Sequence, residues 1–458
     1  MPFTSCMAMN DPLLHAITVF LKKYSRIECP VLLAFSGGPD STALLHVLLE
    51  YRKYQPLLKI ALAHIDHGWR SESAREAAMI VEMGDELGLT IHLKTLDPKK
   101  LKGNLEAACR EERLNFFKEL CALHGYQAVF LAHHADDLAE TVLKRVLEGA
   151  SLSRFSGLNP QISMNGMLLW RPFLSISKAR ILTWLQERGL QGFEDSTNED
   201  PKFLRGRFRT SIIPKLTMEF GKDIIPSLCR LSSEAAEVRE YLDSRVEVYM
   251  RQVKRSKFCN YLDLNGKCPE SPYEVKYLIR CLVEMEKGDI SRDGLETAAH
   301  LLMEGAANKQ VIFGSCVFHI DRQRIFLTKS TIQELPKQEV SLRVGETVSF
   351  GLWSISVSEE TAQVKEDGWD NLLMGGARVL LPKGDYHLAI SRGNDPYPRS
   401  LPLSKWWTDS KVPAFLRRHV PVIYEGDTVV HEFLTGSRPK SSEDRERDKA
   451  YLVSIKLT

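Results

Sequence analysis

The chain has 458 residues, which is enough for roughly three domains of about 150 residues each. Hydrophobic residues make up 43% and charged residues 26% of the sequence, as in ordinary globular proteins, and no apolar run approaches the roughly 18 residues of a membrane span. The formal net charge of +2 excludes a uniformly basic protein, so any surface for a nucleic acid must be local.

The nine cysteines predict a reducing compartment rather than a disulfide framework. No two of them form a C-x-x-C pair, so neither a zinc ribbon nor a dithiol redox centre is indicated. The first residues also lack a basic segment followed by an apolar one, which disfavours secretion. We therefore expect a cytoplasmic protein that does not enter a membrane.

The first half of the chain alternates short apolar runs with amphipathic helices. This alternation predicts an α/β fold, with a parallel sheet and helices on both of its faces. Strands are predicted at Val31–Phe35, Lys59–Ile65, Thr90–Thr95 and Ala128–Ala132, and helices at Leu13–Lys23, Ala43–Tyr51, Ser73–Leu87, Asn104–His124 and Asp136–Glu148. Polar clusters follow three of the strands, at residues 36–41, 64–70 and 133–140. Because ligands of such sheets bind beyond the carboxyl ends of the strands, the three clusters predict one site.

The second half of the chain changes its pattern twice. Helices are predicted at Leu228–Met250, Glu274–Glu286 and Gly294–Glu304, and then strands at Gln310–Phe313, Val317–His319, Arg324–Leu327, Thr347–Val357 and Arg378–Leu381. We predict three domains: residues 12–215, a mainly helical middle domain with some strands at 216–335, and a smaller α+β domain at 336–458. Gln333–Gln338 is a candidate linker, and the charged stretch Ser437–Lys449 is expected to be solvated.

One loop between a strand and a helix has the composition of a phosphate-binding site. It consists of Ser36, Gly37, Gly38, Pro39, Asp40 and Ser41. The glycines allow close backbone approach and the serines supply hydroxyl groups, so that backbone N–H groups and the helix N-terminus can hold an anion. The loop lacks the lysine of a Walker A motif, and its aspartate is explained if it binds Mg²⁺ or orients backbone amides. A plain turn, with Asp40 or Ser41 capping the helix, is the alternative.

Two further polar stretches point to the same chemistry. His64 and Asp66 end the second strand, in a turn that can hold the base and ribose of a nucleotide, with a simple surface turn as the alternative. Glu106, Arg110 and Arg113 share one face of a predicted helix because they are spaced i, i+4 and i+7. The arginines are predicted to face phosphates or RNA, unless this face is a solvated, salt-bridged surface.

Imidazole and carboxylate groups follow the fourth strand. His133, Glu140 and either Asp136 or Asp137 lie on one face of the next helix. Carboxylates at this place can hold Mg²⁺ against pyrophosphate oxygens, or they can bind a cationic amine. An acidic first turn that complements the helix dipole is the alternative.

Two basic stretches predict contacts with the phosphates of a nucleic acid. Residues 202–215 carry five basic residues and no acidic one, with Phe203 and Phe208 as candidate stacking faces. The second stretch surrounds Trp406 and Trp407. The basic residues that we assign to such contacts are Arg205, Arg207, Arg209, Lys405 and Arg417. The alternatives are a solvated basic loop in the first case and two buried tryptophans under an ordinary surface in the second.

These motifs together resemble a known family. The loop SGGPDS resembles the signature of the N-type ATP pyrophosphatases, which cleave ATP to AMP and pyrophosphate. The other motifs are similar to those of one branch, the tRNA(Ile)-lysidine synthetase family: HIDHGWR at 64–70, NLEAACREER at 104–113, HHADDLAET at 133–141, DSTNED at 195–200, and RGRFR at 205–209, where Gly206 replaces the usual asparagine. Residues 404–413 and 417–424 resemble the C-terminal tRNA-binding domain of that family.

The resemblance implies a fold and a reaction. The fold is a parallel-sheet N-type ATP pyrophosphatase domain, then a mainly helical middle domain and a smaller α+β C-terminal domain. The substrates are ATP with Mg²⁺, L-lysine, and an isoleucine tRNA whose CAU anticodon carries cytidine at the wobble position. The C2 oxygen of that cytidine is adenylated, and the ε-amine of lysine then displaces AMP to give lysidine, so that the tRNA reads AUA instead of AUG.

The resemblance also implies roles for individual residues. Asp40, Asp136, Asp137 and Arg110 are expected to be catalytic, and Asp40 and Asp136 to be the metal ligands. Residues 36–41, His64 and Asp66 are expected to hold ATP. The residues expected to bind lysine or tRNA are Asp136, Glu140, Arg113, Arg205, Arg207, Arg209, Lys405 and Arg417. Which carboxylate binds lysine and which binds the metal is left open.

Three other functions are compatible with the loop alone. A tRNA thiolase needs a cysteine pair or an iron–sulfur site, and Cys109 and Cys121 are spaced for neither. A GMP or NAD synthetase needs an ammonia source, and no glutaminase segment is evident. A non-catalytic RNA-binding protein would not need the carboxylates and would release no pyrophosphate. The sequence does not predict the oligomeric state, and a homodimer is kept as a hypothesis.

Overall fold

The computed structural model describes residues 11–68, 73–97, 105–193, 204–330, 332, 334–359, 368–397, 401–436 and 450–458. The chain divides into two compact units, Met1–Glu240 and Tyr241–Thr458. The predicted cap Asn104, the candidate stacking residue Phe203, the motif residues 69–70 and 195–200, and the stretch Ser437–Lys449 lie outside the described residues. No helix in the described part of the chain combines the length and the apolar character that crossing a membrane requires.

The first unit alternates strands and helices, as the apolar pattern predicts. Its strands are β1 (Val31–Ala34), β2 (Ile60–Asp66), β3 (Thr90–Thr95), β4 (Val129–Phe130), β5 (Gln161–Met164) and β6 (Met167–Trp170). Its helices are α1 (Pro12–Tyr24), α2 (Pro39–Tyr54), α3 (Ser73–Glu86), α4 (Leu105–His124), α5 (Ala135–Leu147), α6 (Lys178–Glu187), α7 (Leu204–Arg207) and α8 (Ile213–Phe220), and α9 (Ile225–Met250) runs across the boundary between the units.

The sheet of the first unit has the strand order β3-β2-β1-β4-β6-β5. All neighbours pair in parallel except β5, which forms an antiparallel hairpin with β6 at the edge. The chain leaves β1 towards β2 and β3 and then returns to the other side of β1 at β4. Strand order therefore reverses between β1 and β4, and ligands of such sheets bind at the carboxyl ends of the strands beside this point.

Apolar side chains fill both faces of this sheet. Leu32 lies in one core cluster, while its neighbours Val31 and Leu33 lie in the cluster on the other face, because successive strand residues point in opposite directions. All seven residues of β2 are buried, as expected for an inner strand that is covered by helices on both faces. Packing on both faces of the sheet thereby holds the carboxyl ends of β1 and β4 in fixed positions.

The second unit is built from antiparallel sheets. It contains the strands β7 (Lys254–Arg255), β8 (Asn260–Asp263), β9 (Lys309–Phe313), β10 (Cys316–Asp321), β11 (Arg324–Lys329), β12 (Val340–Leu342), β13 (Thr347–Phe350), β14 (Trp353–Glu359), β15 (Ala377–Pro382), β16 (Tyr386–Ala389), β17 (Val422–Glu425), β18 (Thr428–Glu432) and β19 (Ala450–Leu457). Its further helices are α10 (Pro272–Met285), α11 (Arg292–Met303), α12 (Trp369–Gly375) and α13 (Leu403–Asp409). The sheet orders are β7-β8-β11-β10-β9, β12-β16-β17-β18 and β13-β14-β19-β15.

The structure departs from the predicted elements in a few places. The edge hairpin β5–β6 was not predicted, so the sheet is mixed rather than wholly parallel. The predicted strand Thr347–Val357 is two strands joined by a turn at Gly351. Leu335 is 5% exposed and lies in the main core of the second unit, so this part of the predicted linker is packed against the fold. The three domain boundaries stay predictions.

Candidate active site

The SGGPDS loop joins β1 to α2 beside the point where strand order reverses. Gly37 has a φ of +82°, which favours glycine, and a Cβ at this residue would lie 2.4 Å from the ring of Phe193. The backbone N–H of Phe193 donates to the Gly37 carbonyl at 2.8 Å. Phe193 therefore binds the loop through its backbone N–H, and its ring leaves room only for glycine at residue 37.

Hydroxyl groups hold the loop against the start of α2. Ser41 Oγ donates to the Gly38 carbonyl at 3.0 Å and lies 3.1 Å from Ser36 Oγ. The helix begins at Pro39 with Gly38 as its N-cap, and no described side chain caps it. The alternative of a helix capped by Asp40 or Ser41 is therefore wrong. First-turn N–H groups without a side-chain cap, together with the helix dipole, form a site for an anion such as a phosphate.

His64 and Asp66 are both buried at the end of β2. His64 Nδ1 lies 2.9 Å from the carbonyl of Phe35, the residue that follows β1. An oxygen of Asp66 accepts a hydrogen bond of 2.8 Å from the Gly68 N–H and so forms the turn that the sequence indicates. Both side chains support the backbone next to the loop, and their contact with a nucleotide stays a prediction.

Asp40 and Asp136 are brought together by a lysine that the sequence analysis did not assign. Lys178 Nζ lies 2.6 Å from Asp40 Oδ1, and the Lys178 backbone N–H donates to Asp136 Oδ2 at 2.8 Å. Burial acts to raise the pKa of Asp136, but His134 and the Lys178 N–H outweigh it and hold the pKa below its usual value. Lys178 thus binds one carboxylate at the start of α2 and one at the start of α5, and their role as metal ligands stays a prediction.

His134 stands among three carboxylates. Its imidazole nitrogens lie 3.7 Å from Asp40, 3.5 Å from Asp136 and 3.4 Å from Asp137. Burial alone would lower the pKa of His134, but the three negative charges raise it above its ordinary value. The histidine thus links the phosphate loop to the acidic start of α5, and it can take up a proton when the local negative charge increases.

Arg209 binds the two remaining carboxylates. Its Nε donates to Glu140 Oε1 at 2.5 Å and its Nη2 to Asp137 Oδ1 at 2.6 Å. The second oxygen of Asp137 accepts from the His134 N–H at 3.0 Å. Glu140 Oε2 is buried and has no hydrogen-bond partner within the described part of the chain. Burial raises the pKa of Glu140, whereas the contacts of Asp137 hold the pKa of that group below its usual value against burial.

Arginines form a second group beside these carboxylates. Desolvation lowers the pKa of Arg113, and the positive charges of Arg110 and Arg205 lower it further, so the three side chains are close. Arg171 donates to His133 Nδ1 at 3.1 Å, and burial together with nearby arginines lowers the pKa of His133 to about 4. Among the described residues, no ion pair neutralises Arg110, Arg113 or Arg205. Clustered guanidinium groups that no described carboxylate neutralises are suited to phosphate.

Comparisons with known proteins identify the family of this chain. The family model of the PP-loop domain matches residues 12–216, and that of the TilS substrate C-terminal domain matches residues 395–436. The chain is 36% identical over 455 residues to the tRNA(Ile)-lysidine synthase of Protochlamydia amoebophila (strain UWE25), an alignment that covers 97% of this chain and 98% of that protein. The chain belongs to the tRNA(Ile)-lysidine synthase family. It is also 34% identical over 278 residues to the tRNA(Ile)-lysidine synthase of Chlamydia trachomatis serovar A, which covers 60% of this chain and 85% of that protein.

Membership of the tRNA(Ile)-lysidine synthase family confirms the family and the α/β fold class that the motifs predict. The C-terminal match includes Lys405 and Arg417. Lys405 is exposed, whereas Arg417 donates to the carbonyl of Val412 at 2.7 Å and to Thr408 Oγ1 at 3.0 Å. Trp407 is buried and donates to Glu432 at 2.7 Å, whereas Trp406 is only partly buried, so the alternative of two buried tryptophans fits one of them. The predicted tRNA contacts of this unit stay predictions.

Several site residues of this tRNA(Ile)-lysidine synthase family member were missed or assigned differently. Lys178 and Phe193 lie far along the chain from the loop that they contact, and no motif marks them. Arg207 is exposed, as a phosphate contact would be, but Arg209 is paired with carboxylates of α5. His134 stands inside the quoted HHADDLAET motif, and its position next to the two aspartates was the signal that could have found it.

Proposed function

We propose that this chain is a tRNA(Ile)-lysidine synthase, a ligase that joins L-lysine to the wobble cytidine of an isoleucine tRNA with a CAU anticodon. ATP adenylates the C2 oxygen of the cytidine with release of pyrophosphate, and lysine then displaces AMP. One observation carries the proposal. Glu140 Oε2, a buried carboxylate oxygen that has no hydrogen-bond partner among the described residues, lies in the cluster that His134 and Asp40 connect to the phosphate loop. A cation pocket beside a nucleotide loop is what this reaction requires.

ATP is assigned to the loop at residues 36–41. The N-terminus of α2 supplies N–H groups and the positive end of a helix dipole for its phosphates. Arg110 and Arg113 add positive charge, which stabilises the negative charge that develops on the departing pyrophosphate. We include His64 and Asp66 as supports of the adenosine pocket, because His64 joins the end of β2 to the residue after β1, and Asp66 forms the turn that follows β2.

The residues at the loop also fit Mg²⁺. Asp40 and Asp136 both approach Lys178, and Mg²⁺ typically takes one or two protein carboxylates and completes its shell with phosphate oxygens and water. Within the described residues, no group of three or more acidic, histidine or cysteine side chains is placed to hold a metal ion by protein alone, which agrees with such a shared site. The ion would neutralise charge on the departing pyrophosphate.

Lysine is assigned to the carboxylates of α5. Its ammonium group would meet Glu140 Oε2, for which the described part of the chain offers no donor, and a buried oxygen without a donor costs stability. Before attack, the ammonium group loses one proton, so that its nitrogen gains a lone pair. The nitrogen then forms a bond to C2 of the cytidine, the C2–oxygen bond to AMP breaks, and the nitrogen loses a second proton. Glu140 is the best placed acceptor for that proton among the described carboxylates of α5, because its pKa is raised.

The tRNA is assigned to exposed basic residues in each unit. In the first unit these are Arg205 and Arg207, and in the second unit Lys405, with Arg417 as a further candidate. Phosphate contacts of this kind position an RNA without reading its bases. We place the reaction in the cytoplasm, since no disulfide joins the eight cysteines that the structure describes. A homodimer is part of the proposal only as a hypothesis.

The thiolase alternative lacks support at the two cysteines considered for it. Burial raises the pKa of Cys109 and raises that of Cys121 to about 11. Thiols with raised pKa values are poor nucleophiles at neutral pH because little thiolate is present.

A pyrophosphate-release assay tests the proposal. The enzyme, ATP and Mg²⁺ would be incubated with lysine alone, with the CAU tRNA alone and with both, and a transcript with uridine at the wobble position would serve as control. We expect release that depends on the cytidine tRNA and labelled lysine that ends on that tRNA. Release that does not need the tRNA, or the absence of lysine from the RNA, would contradict the proposed substrate.

Asp40→Ala tests the role of the loop in the same assay. We expect loss of pyrophosphate release, because the change removes a proposed metal ligand and leaves Lys178 without its partner. tRNA binding should stay within about threefold of wild type, since the arginines are untouched. Turnover near the wild-type rate would show that Asp40 does not serve ATP.

A further inference from the structure

Arg209 differs from the other basic residues of its stretch. The sequence groups it with Arg205 and Arg207 as a contact for tRNA phosphates. In the structure the side chain of Arg207 is exposed, while Arg209 is half-buried and makes two ion pairs with α5. An arginine whose donors are used by buried carboxylates is poorly placed to bind an RNA phosphate as well.

The local backbone explains how Arg209 reaches α5. Residues Phe208–Ile212 form a single π-helical turn between α7 and α8. Phe208 is 3% exposed and packs in one cluster with Leu143 of α5. The apolar contact of residue 208 and the ion pairs of residue 209 thus hold the same helix, and π-helical turns often occur at functional sites.

The ion pairs solve an electrostatic problem. Asp137 and Glu140 are three residues apart on one helix face, and both are buried, so their negative charges repel each other in a poorly solvated place. One guanidinium group holds one oxygen of each carboxylate. The second oxygen of Asp137 is bound by the His134 N–H, and the second oxygen of Glu140 is left unbound within the described structure.

We propose that Arg209 is a positioning residue of the amino-acid pocket: it clamps Asp137 and Glu140 side by side so that Glu140 Oε2 faces the amine of the substrate. This inference rests on the proposed function, since it takes lysine as the substrate. The two carboxylates and one guanidinium carry one net negative charge, which matches a single ammonium group. The clamp also fixes the direction of Glu140 Oε2, which has no partner in the described structure, because the planar guanidinium binds both carboxylates in one geometry.

The test compares substrate affinities of Arg209→Met with those of wild type. We expect the lysine KM, and the lysine Kd measured by calorimetry with a non-hydrolysable ATP analogue, to rise at least about tenfold, in line with loss of a charge-assisted contact. The KM for tRNA should change less than about threefold. Arg209→Lys should recover part of the lysine affinity, because an ammonium group keeps the charge but not the fork.

Arg207→Met is the matched control, because it removes the same charge two residues away. It should weaken tRNA binding and leave the lysine Kd unchanged. A double-mutant cycle with Glu140→Gln then asks whether Arg209 acts through Glu140: in that background Arg209→Met should alter the lysine Kd less than about threefold. If Arg209→Met does not fold, Arg209→Lys takes its place in the cycle, alone and combined with Glu140→Gln: it should raise the lysine Kd in the wild-type background and not in the Glu140→Gln background.

Two results would overturn the inference. One is a lysine Kd of Arg209→Met within twofold of wild type, and the other is an effect on tRNA binding instead of lysine binding. Both require a wild-type enzyme that attaches lysine to the tRNA. If wild type itself does not, the proposed function fails first, so the two failures can be told apart.

Discussion

Gly37→Ala would test whether the ring of Phe193 shapes the phosphate loop. Two costs follow from the structure. A non-glycine residue at a φ of +82° costs about 1–2 kcal/mol. A Cβ that lies 2.4 Å from the ring must also push ring and loop apart, which at an overpacked site costs about 1–3 kcal/mol more.

The second cost is the one that should reach ATP binding. If it shifts the loop away from the form that binds phosphate, the Kd for ATP rises by roughly 5- to 150-fold, the factor that about 1–3 kcal/mol represents. Titration calorimetry with Mg²⁺ and a non-hydrolysable ATP analogue would measure this change. A suitable control variant places alanine at a positive φ where the added Cβ meets no neighbouring atom.

Gly125→Ala supplies that control. Gly125 has a φ of +68°, and nothing lies within 4 Å of the place where a Cβ would stand. We expect it to lose stability but to bind ATP within twofold of wild type. Adding Phe193→Ala to Gly37→Ala should restore most of the ATP affinity, because it removes the ring. If Gly37→Ala binds ATP as well as Gly125→Ala does, the steric argument is refuted.

Two further predictions concern charge. Arg205→Ala should weaken tRNA binding and reduce the slope of log affinity against log salt concentration by about 1. The control Arg52→Ala, at the far end of α2, should leave that slope unchanged. An unaltered slope for Arg205→Ala would show that Arg205 does not contact the tRNA. In the second unit, burial and His419 lower the pKa of His319 to about 4. As the pH falls, this histidine is therefore protonated in the unfolded chain before it is protonated in the folded chain. The free energy of unfolding consequently falls as the pH drops from about 6.5 to about 4. His319→Gln should therefore lose about 2 kcal/mol less stability than wild type between about pH 7 and pH 5, as measured by denaturant unfolding, and equal losses would contradict the assignment.

The sequence predicts the framework of the site well, for a physical reason. Buried parallel strands need continuous apolar runs, and the helices between them need an apolar stripe, so both leave a local pattern. The edge strand β5 has no such pattern, since Gln161–Met164 is short and only partly buried. Its pairing with β6 depends on the turn between the two strands. An alternation of strands and helices predicts parallel strands and gives no signal for such a hairpin.

The pairing of charges was beyond the sequence for a different reason. Lys178 contacts Asp40 across 138 residues of chain, and Arg209 contacts Asp137 across 72. A basic stretch without acidic neighbours reads as an RNA surface, because local composition does not show that the acidic partners stand on another helix. Motif spacing places Asp136 or Asp137 with Glu140 on one helix face, but it does not reveal the internal cations that bind these carboxylates.

These internal cations constrain how substrates can enter. Lys178 accompanies Asp40 and Asp136, and Arg209 accompanies Asp137 and Glu140, so both carboxylate pairs are partly neutralised before any ligand arrives. A ligand that replaced one of these cations would leave a half-buried positive charge without its carboxylate partner, which is unfavourable. A ligand that binds Glu140 Oε2 breaks no ion pair and satisfies an oxygen that has no donor in the described structure. An amine that binds at that oxygen therefore breaks none of the existing ion pairs. Arg209 stays in place and keeps the Glu140 carboxylate, which accepts the hydrogen bond, in a fixed position.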